Sequence, residues 1–164
     1  MRNIVRYVCV ALVLLLLCSA SLLAADSKQV IGETARIRVE EAGLYFVARI
    51  DTGARVTSLH AVDIVIKDAS KKERDNIGKQ ISFVTRNNRG ERKIMHARIA
   101  GVALVANAQG REYRYEVELT LNWKGKEKRV RVNLRDRSRM TYKLLIGRNW
   151  LAHDYLVDVD KKEE

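Results

Sequence analysis

Hydrophobic and polar residues alternate along much of the chain beyond residue 30, which is the period of a β-strand with one dry face and one wet face. The alternation is longest over residues 113–121 and returns over residues 129–134, with turn residues at 123–126 between them. Two alternating runs joined by so short a connection form a hairpin. The pattern therefore predicts a long β-hairpin in the second half of the chain.

Shorter segments of the same kind occur earlier in the chain. Residues 35–39, 62–66 and 81–84 read as strands, and the apolar, β-rich run 44–50 reads as another that leads directly into Asp51. Helical patterning is confined to one or two turns within residues 69–76 and a short helix over residues 149–155. Turn residues at 87–90 and 108–110 mark loop tips. Many short strands and one late helix predict an all-β fold, a small closed or nearly closed barrel with one short C-terminal helix.

The first 25 residues differ from the rest. Arg2 and Arg6 precede an unbroken apolar run over residues 8–17, and small residues follow it. This arrangement is typical of a secretory signal peptide, and an uncleaved membrane anchor is the alternative. The sequence thus predicts one domain over residues 26–164, located in the periplasm or secreted, or held at the inner membrane through its N-terminus.

Cysteine content excludes thiol chemistry in the predicted domain, and net charge favours one class of binding partner. Both cysteines, Cys9 and Cys18, lie in the N-terminal segment, so the predicted domain has no thiol for a disulfide, a metal or a nucleophile. Without Arg2 and Arg6, 29 Lys and Arg face 20 Asp and Glu, a net charge of +9. A basic surface favours anionic partners, and export makes nucleic acid an unsuitable one.

The candidate chemistry is centred on Asp51. This residue follows the apolar run that ends at Ile50, and the small residues Thr52, Gly53 and Ala54 come directly after it. Asp and Gly are ordinary turn residues, so the tripeptide alone indicates only a turn. Small neighbours, however, allow a substrate backbone to approach the carboxylate closely. A second element, residues 143–151, is an apolar strand followed by glycine and a short helix.

These two elements resemble the retropepsin-like aspartic peptidases, whose signature is Asp-Thr-Gly-Ala after an apolar strand and a later apolar-Gly-Arg-Asn string. The chain is most similar to a bacterial family often labelled ATP-dependent zinc protease and associated with glutamate ligases. The matching segments are residues 51–55, 58–61, 88–90, 134–140, 144–148 and 155–158, in that order along nearly the whole domain.

The resemblance implies an exported aspartic endopeptidase. Asp51 is then the catalytic carboxylate, supported in its loop by Thr52, Gly53 and Ala54. The resemblance further places structural residues beneath the site and candidate substrate contacts around it, with residues 87–92 as a flap. The structural residues are Ile146, Gly147 and Arg148, and the substrate candidates are Arg55, Ser58, Asn88 and Gly90.

A single Asp-Thr-Gly has a consequence for assembly. Aspartic peptidases use two adjacent carboxylates that share one proton, so the second must come from another copy of the chain. The sequence therefore predicts a homodimer with Asp51 of each subunit on the two-fold axis. The alternative is a non-catalytic module that holds a peptide or an anionic polymer on the same barrel.

Metal and nucleotide chemistry have little support in the sequence. His60, His96 and His153 are widely separated, no His-Glu-x-x-His is present, and no glycine-rich phosphate loop occurs. We therefore predict no metal and no cofactor.

Arg55 and Arg148 depart from the viral pattern. In viral retropepsins an acid stands at the position of Arg55 and pairs with the arginine of Gly-Arg-Asn. Here Arg148 is expected to pair with Asp136 or Asp158, which leaves Arg55 free to contact an extended, acidic peptide. The alternative is that Arg55 itself pairs with a structural acid.

Overall fold

The computed structural model describes residues 28–107 and 110–161, and these form twelve strands and one helix. Short 3-10 turns occur at Glu40–Ala42 and Glu73–Asn76. The strands are β1 (Gln29–Ile31), β2 (Thr34–Val39), β3 (Leu44–Ile50), β4 (Thr57–His60), β5 (Val62–Ile66), β6 (Gln80–Arg86), β7 (Arg92–Arg98), β8 (Gly101–Asn107), β9 (Gly110–Trp123), β10 (Lys126–Arg135), β11 (Leu144–Ile146) and β12 (Tyr155–Val157), and the helix is α1 (Arg148–Leu151).

Six strands close into a ring. The order β10-β4-β11-β3-β2-β9 is completed because β9 also pairs with β10, and β8 extends the sheet beyond β9. Closure leaves few unpaired strand edges, and the interior is filled by side chains from alternate positions. The predicted all-β barrel with one short C-terminal helix is confirmed.

The alternating pattern explains the core. Val117, Leu119 and Leu121 of β9 point inward and are almost fully buried, as are Val130 and Val132 on the paired strand β10. The predicted hairpin is confirmed, and its two-residue turn places Lys124 and Gly125 at φ values of 52° and 85°. Positive φ at both turn positions matches the twist of the flanking strands.

Two smaller sheets lie beside the ring. β5, β6 and β7 form an antiparallel sheet, and β1 pairs in parallel with β12. Val30 of β1 and Leu156 of β12 are 40% and 55% exposed. The turn at residues 87–91 connects β6 and β7 and therefore belongs to the three-stranded sheet, not to the ring.

Several predicted secondary-structure elements differ from those observed in their bounds or type. The C-terminal helix is only Arg148–Leu151, because the chain leaves helical geometry at Ala152 and pairs as β12 from Tyr155. The helical segment within residues 69–76 is a single 3-10 turn. The sequence analysis did not predict strands β1, β4, β7, β8 and β12. Residues 1–25, and Ala108 and Gln109 of the predicted loop tip, lie outside the described residues. In the described ranges, no helix has the length and apolar character to cross a bilayer.

Candidate active site

The Asp51 loop is a turn closed by its own carboxylate. The Asp51 backbone N–H donates to the carbonyl of Ile146 at 2.9 Å, which fixes the end of β3 against the end of β11. Oδ1 of Asp51 accepts the N–H groups of Gly53 at 2.9 Å and Ala54 at 3.1 Å. Among the described residues Oδ2 accepts no hydrogen bond. One oxygen therefore anchors the loop, and the other is available for chemistry.

The Gly147-Arg148-Asn149 segment holds this loop from below. The Arg148 N–H donates to the Ala54 carbonyl at 2.8 Å, and the Asn149 N–H donates to the Arg55 carbonyl at 3.2 Å. Gly147 lies so close to the chain that a Cβ there would sit 2.6 Å from the backbone carbon of Val56. The predicted support by Ile146, Gly147 and Arg148 thus operates mainly through the backbone.

Thr57 and Asn149 are structural residues of the site that the sequence analysis did not select. Oδ1 of Asn149 accepts both the N–H and the hydroxyl of Thr57 at 3.0 Å, and its Nδ2 donates to the Arg131 carbonyl at 2.7 Å. The Gly147 N–H in turn donates to the Thr57 hydroxyl oxygen at 3.1 Å. The string Gly-Arg-Asn contained the signal for Asn149. For Thr57, the sequence contained no signal other than its position shortly after the Asp51 loop.

The expected partners of Arg148 are engaged elsewhere. The Asp136 carboxylate accepts the Ser138 N–H at 2.8 Å and lies 3.8 Å from Nδ1 of His60, and Asp158 accepts the Asp160 N–H at 3.0 Å. The predicted pairing of Arg148 with Asp136 or Asp158 is therefore wrong. The exposed Arg148 forms no ion pair within the described ranges.

Arg55 and Thr52 are both exposed in the single chain. Over residues 28–107 and 110–161, the Arg55 guanidinium has no ion pair, as the acidic-substrate hypothesis requires. The Thr52 hydroxyl makes no hydrogen bond in the same part of the chain. Both side chains thus remain open to a ligand or to a second subunit.

The loop at residues 87–92 is not placed as a flap. Asn87 donates from Nδ2 to the Tyr45 carbonyl at 3.0 Å, and Oδ1 of Asn88 accepts the Val47 N–H at 3.2 Å. Val47 precedes Asp51 by four strand residues, or about 13 Å. Asn88 also donates from Nδ2 to the Thr141 carbonyl at 3.0 Å, so both polar atoms of its amide brace the loop against the barrel. Gly90, at φ 87°, only shapes the turn. The prediction of a flap here is wrong, because β6 and β7 belong to the separate sheet.

The hairpin of β8 and β9 faces the Asp51 loop instead. A pocket of about 300 Å³ lies between them, and residues of both line it, so the hairpin forms one wall of the cleft. It is lined by Ala54, Arg55, Val56, Ala103, Leu104, Val105, Ala106, Arg114, Glu116 and Asn133. A second pocket of about 380 Å³ shares Arg55, Val56 and Glu116 with it. Together they form a groove beside the Asp51 loop.

The side chains that β9 and β10 contribute to the 300 Å³ pocket are polar, whereas those of β8 are apolar. Asn133 of β10 is the register partner of Ser58 on β4, so the two side chains project from the same face of the sheet. Ser58 is 3% exposed, and its hydroxyl has no hydrogen-bond partner. The candidate substrate contact Ser58 thus lies on the pocket side but below the surface, and direct contact with a substrate requires movement of its neighbours.

Arg137, in the segment 134–140 that the resemblance matched, is buried. Its Nε donates to the Tyr142 carbonyl at 2.9 Å, and its backbone N–H donates to Nδ1 of His60 at 3.0 Å. The pKa of Arg137 is lowered to about 10, first by burial and then by the charges of Arg135 and Arg114, whereas Asp51 acts in the opposite direction. A buried cation therefore contributes to the field around the Asp51 carboxylate.

His60 is a structural residue. It is 2% exposed, and its Nδ1 accepts a backbone N–H, so the ring is neutral with its proton on Nε2. Burial lowers the pKa of His60 below 6.5, and nearby Asp136 opposes that shift. His96 and His153 are exposed. Within residues 28–107 and 110–161, no three His, Cys, Asp or Glu side chains are grouped to hold a metal ion.

Comparison with known proteins supplies the family. Residues 30–164 match the family described as RimB-like, retropepsin-like aspartic endopeptidase RimB. The chain belongs to this RimB-like family. The family is a group of retropepsin-like proteases, in agreement with the barrel and the Asp-Thr-Gly loop.

Relatives of this RimB-like chain include two larger curated proteins and one solved structure. Probable α-L-glutamate ligases of Shewanella pealeana and Shewanella halifaxensis are each 28% identical over 139 residues. The match covers 82% of this chain and 29% of each ligase, so the chain spans about three-tenths of their length. A crystal structure of a Legionella pneumophila protein of unknown function has 26% identity and a TM-score of 0.66, covering 83% of this chain and 97% of that one.

Proposed function

We propose that the protein is an exported aspartic endopeptidase that hydrolyses extended, acidic peptides with a pair of Asp51 carboxylates shared by a homodimer. The observation that carries the proposal is the Asp51 loop, in which one carboxylate oxygen is held by two N–H groups and the other is unbonded in the described chain. Export rests on the charge and apolar pattern of residues 1–25.

A second subunit is needed because the chain's other candidate acids are occupied. Asp63 lies 3.9 Å from Arg92, Asp136 is beside His60, and Asp158 caps its own turn. A two-fold axis through the Asp51 loops brings two equivalent carboxylates together. The exposed Val30 and Leu156 offer apolar surface for subunit contact.

The proposed chemistry divides two roles between the paired carboxylates. Held a few ångströms apart they share one proton, because two adjacent negative charges are unfavourable. The ionised carboxylate takes a proton from water as that water attacks the peptide carbonyl, and the protonated one donates to the carbonyl oxygen. Thr52, exposed in one chain, links the two loops by hydrogen bonds in the dimer.

The substrate is proposed to bind as an added strand. β8 pairs only with β9 in the described sheet, so its other edge offers backbone groups to an extended peptide. Arg55 stands beside that path without an ion pair, and the whole chain carries a formal charge of +11. Similarity to proteins named as α-L-glutamate ligases also supports a glutamate-rich substrate.

Dilution tests the shared dyad. Specific activity on a fluorogenic Glu-rich peptide is expected to fall once the protein is diluted below the dimer dissociation constant, because a monomer supplies one carboxylate. Sedimentation velocity over the same concentrations measures the dimer fraction. Activity that stays constant while the protein dissociates to monomer contradicts the dyad.

Arg55→Glu tests the acidic substrate. Reversing this charge is expected to reduce kcat/KM for a Glu-rich peptide about tenfold or more and to spare a neutral peptide, because a charge-assisted contact becomes a repulsion. Arg129→Glu is the matched control, since Arg129 is exposed on β10, pairs with Glu118 and lines neither cleft pocket. Equal losses in both variants, or none in Arg55→Glu, argue against the assignment.

A further inference from the structure

Glu116 and Asn133 form a cross-strand pair at the cleft. Glu116 of β9 is the direct register partner of Asn133 of β10, so their side chains are adjacent on one face of the sheet. Both line the pocket beside Ala54, Arg55 and Val56 of the catalytic loop. Asn133 is 5% exposed, and the Glu116 side chain is 9% exposed.

Neither side chain has its acceptor capacity satisfied. Asn133 donates from Nδ2 to the Thr57 carbonyl at 3.1 Å, and its remaining polar atom, Oδ1, has no hydrogen-bond partner among the residues that the structure describes. The Glu116 carboxylate accepts no hydrogen bond from the described residues, and the nearest cationic atom, Nη1 of Arg131, is 3.9 Å from Oε2. A buried acceptor without a donor is costly, so Asn133 Oδ1, next to a carboxylate that accepts no hydrogen bond from the described residues, indicates a group that binds there.

The surrounding residues fix the orientation of this site. Oε2 of Glu116 lies over Gly101, where a Cβ would be only 2.8 Å away, so the absence of a side chain at that position of β8 leaves room for the carboxylate. The buried guanidinium of Arg114 is paired with Glu112 and is not available to balance Glu116. Arg55, exposed and without an ion pair in the described chain, supplies donors on the loop side. The pocket thus combines acceptors on the sheet with a donor on the loop.

We propose that this pocket binds a primary carboxamide of the substrate, the side chain of glutamine or asparagine, next to the scissile bond. The amide NH₂ donates to Glu116 and Asn133, and the amide oxygen accepts from Arg55. A ligand carboxylate at the same position would bring its oxygens against the acceptor oxygens of Glu116 and Asn133, with no N–H group between them. The pocket therefore selects against glutamate at this position of an otherwise acidic peptide. This inference refines the proposed function, and it depends on that function because the bound peptide is a substrate only if the protein is a peptidase.

A binding experiment separates the two ideas. The full chain with Asp51→Asn is titrated with fluorescent decapeptides of alternating Glu and Ala, in which one Glu at a time is replaced with Gln, Lys or Leu. At one position Gln is expected to bind about tenfold more tightly than Glu, the size of a charged-group hydrogen bond gained. Adding the isosteric Glu116→Gln is expected to bring the ratio close to one. Glu118→Gln, two residues along β9 and outside the cleft, is expected to preserve it.

The outcomes are distinct. A Gln preference that depends on Glu116 supports the inference even if the parent protein hydrolyses none of the peptides, in which case only the peptidase proposal fails. Equal or tighter binding of the Glu or Lys peptide at every position overturns the inference, as does an unchanged ratio in Glu116→Gln. Hydrolysis by the parent without a Gln preference leaves the peptidase proposal standing and removes the carboxamide site.

Discussion

Asp51→Asn is expected to lower kcat/KM for a Glu-rich peptide by at least about 10³-fold, because an amide neither accepts the proton of the attacking water nor shares a proton with its twin. The amide oxygen can still accept the N–H groups of Gly53 and Ala54, so the loop should persist. Hydrolysis of a fluorogenic peptide measures the loss, and the melting temperature confirms that the fold is retained. Asp63→Asn, at an exposed residue with positive φ that Asn tolerates, is the matched control.

Mixing extends this experiment to the assembly. When parent and Asp51→Asn subunits are combined in equal amounts and allowed to exchange, about a quarter of the activity per total dimer should remain, because only dimers with two parent subunits have a dyad. Retention of about half means that each chain acts alone. A variant that hydrolyses the peptide as fast as the parent removes Asp51 from the chemistry. Peptide binding by both proteins with hydrolysis by neither favours the binding-module alternative.

Gly147→Ala is expected to destabilise the protein by at least about 3 kcal/mol, because the new methyl meets backbone that cannot move without disturbing the catalytic loop. Its Cβ would lie 2.6 Å from the Val56 carbonyl carbon and 2.9 Å from the Thr57 nitrogen. Equilibrium urea unfolding followed by tryptophan fluorescence measures the change, since Trp150 is three residues away and fully buried.

Gly125→Ala provides the comparison for that substitution. Gly125 has a positive φ of 85°, but its Cβ position is empty to 4 Å, so the cost is the backbone strain of about 1–2 kcal/mol. A loss in Gly147→Ala no greater than in Gly125→Ala would show that the loop and the segment beneath it are not tightly packed.

The sequence reveals the parts of this fold whose residues alternate. β2, β3, β9 and β10 have clear apolar faces, and the turn at Lys124 and Gly125 is marked by residue type. β4 does not stand out, because Thr57, Ser58, Leu59 and His60 are all buried within a central strand, and complete burial erases alternation. β8, with its run of small and aliphatic residues, likewise lacks a period.

Around the catalytic loop the local string Asp-Thr-Gly-Ala and the later Gly-Arg-Asn indicate which residues meet. What the sequence could not supply is which hairpin covers the loop. Two loop tips were available, at 87–90 and at 108–110, and both contain turn residues. The choice depends on sheet membership: β6 and β7 pair only with each other and β5, whereas β8 shares β9 with the barrel.

Strand β9 is one continuous strand of fourteen residues that pairs with three others: β8, β10 and, near its end, β2. Its first half pairs with β8 above the cleft, its second half pairs with β10 in the ring, and Glu116 is paired with both Gly101 and Asn133. A swing of the hairpin away from the cleft must therefore bend or twist the strand near Glu116. Opening for substrate entry would then be mechanically linked to the position of the Glu116 carboxylate in the proposed carboxamide site.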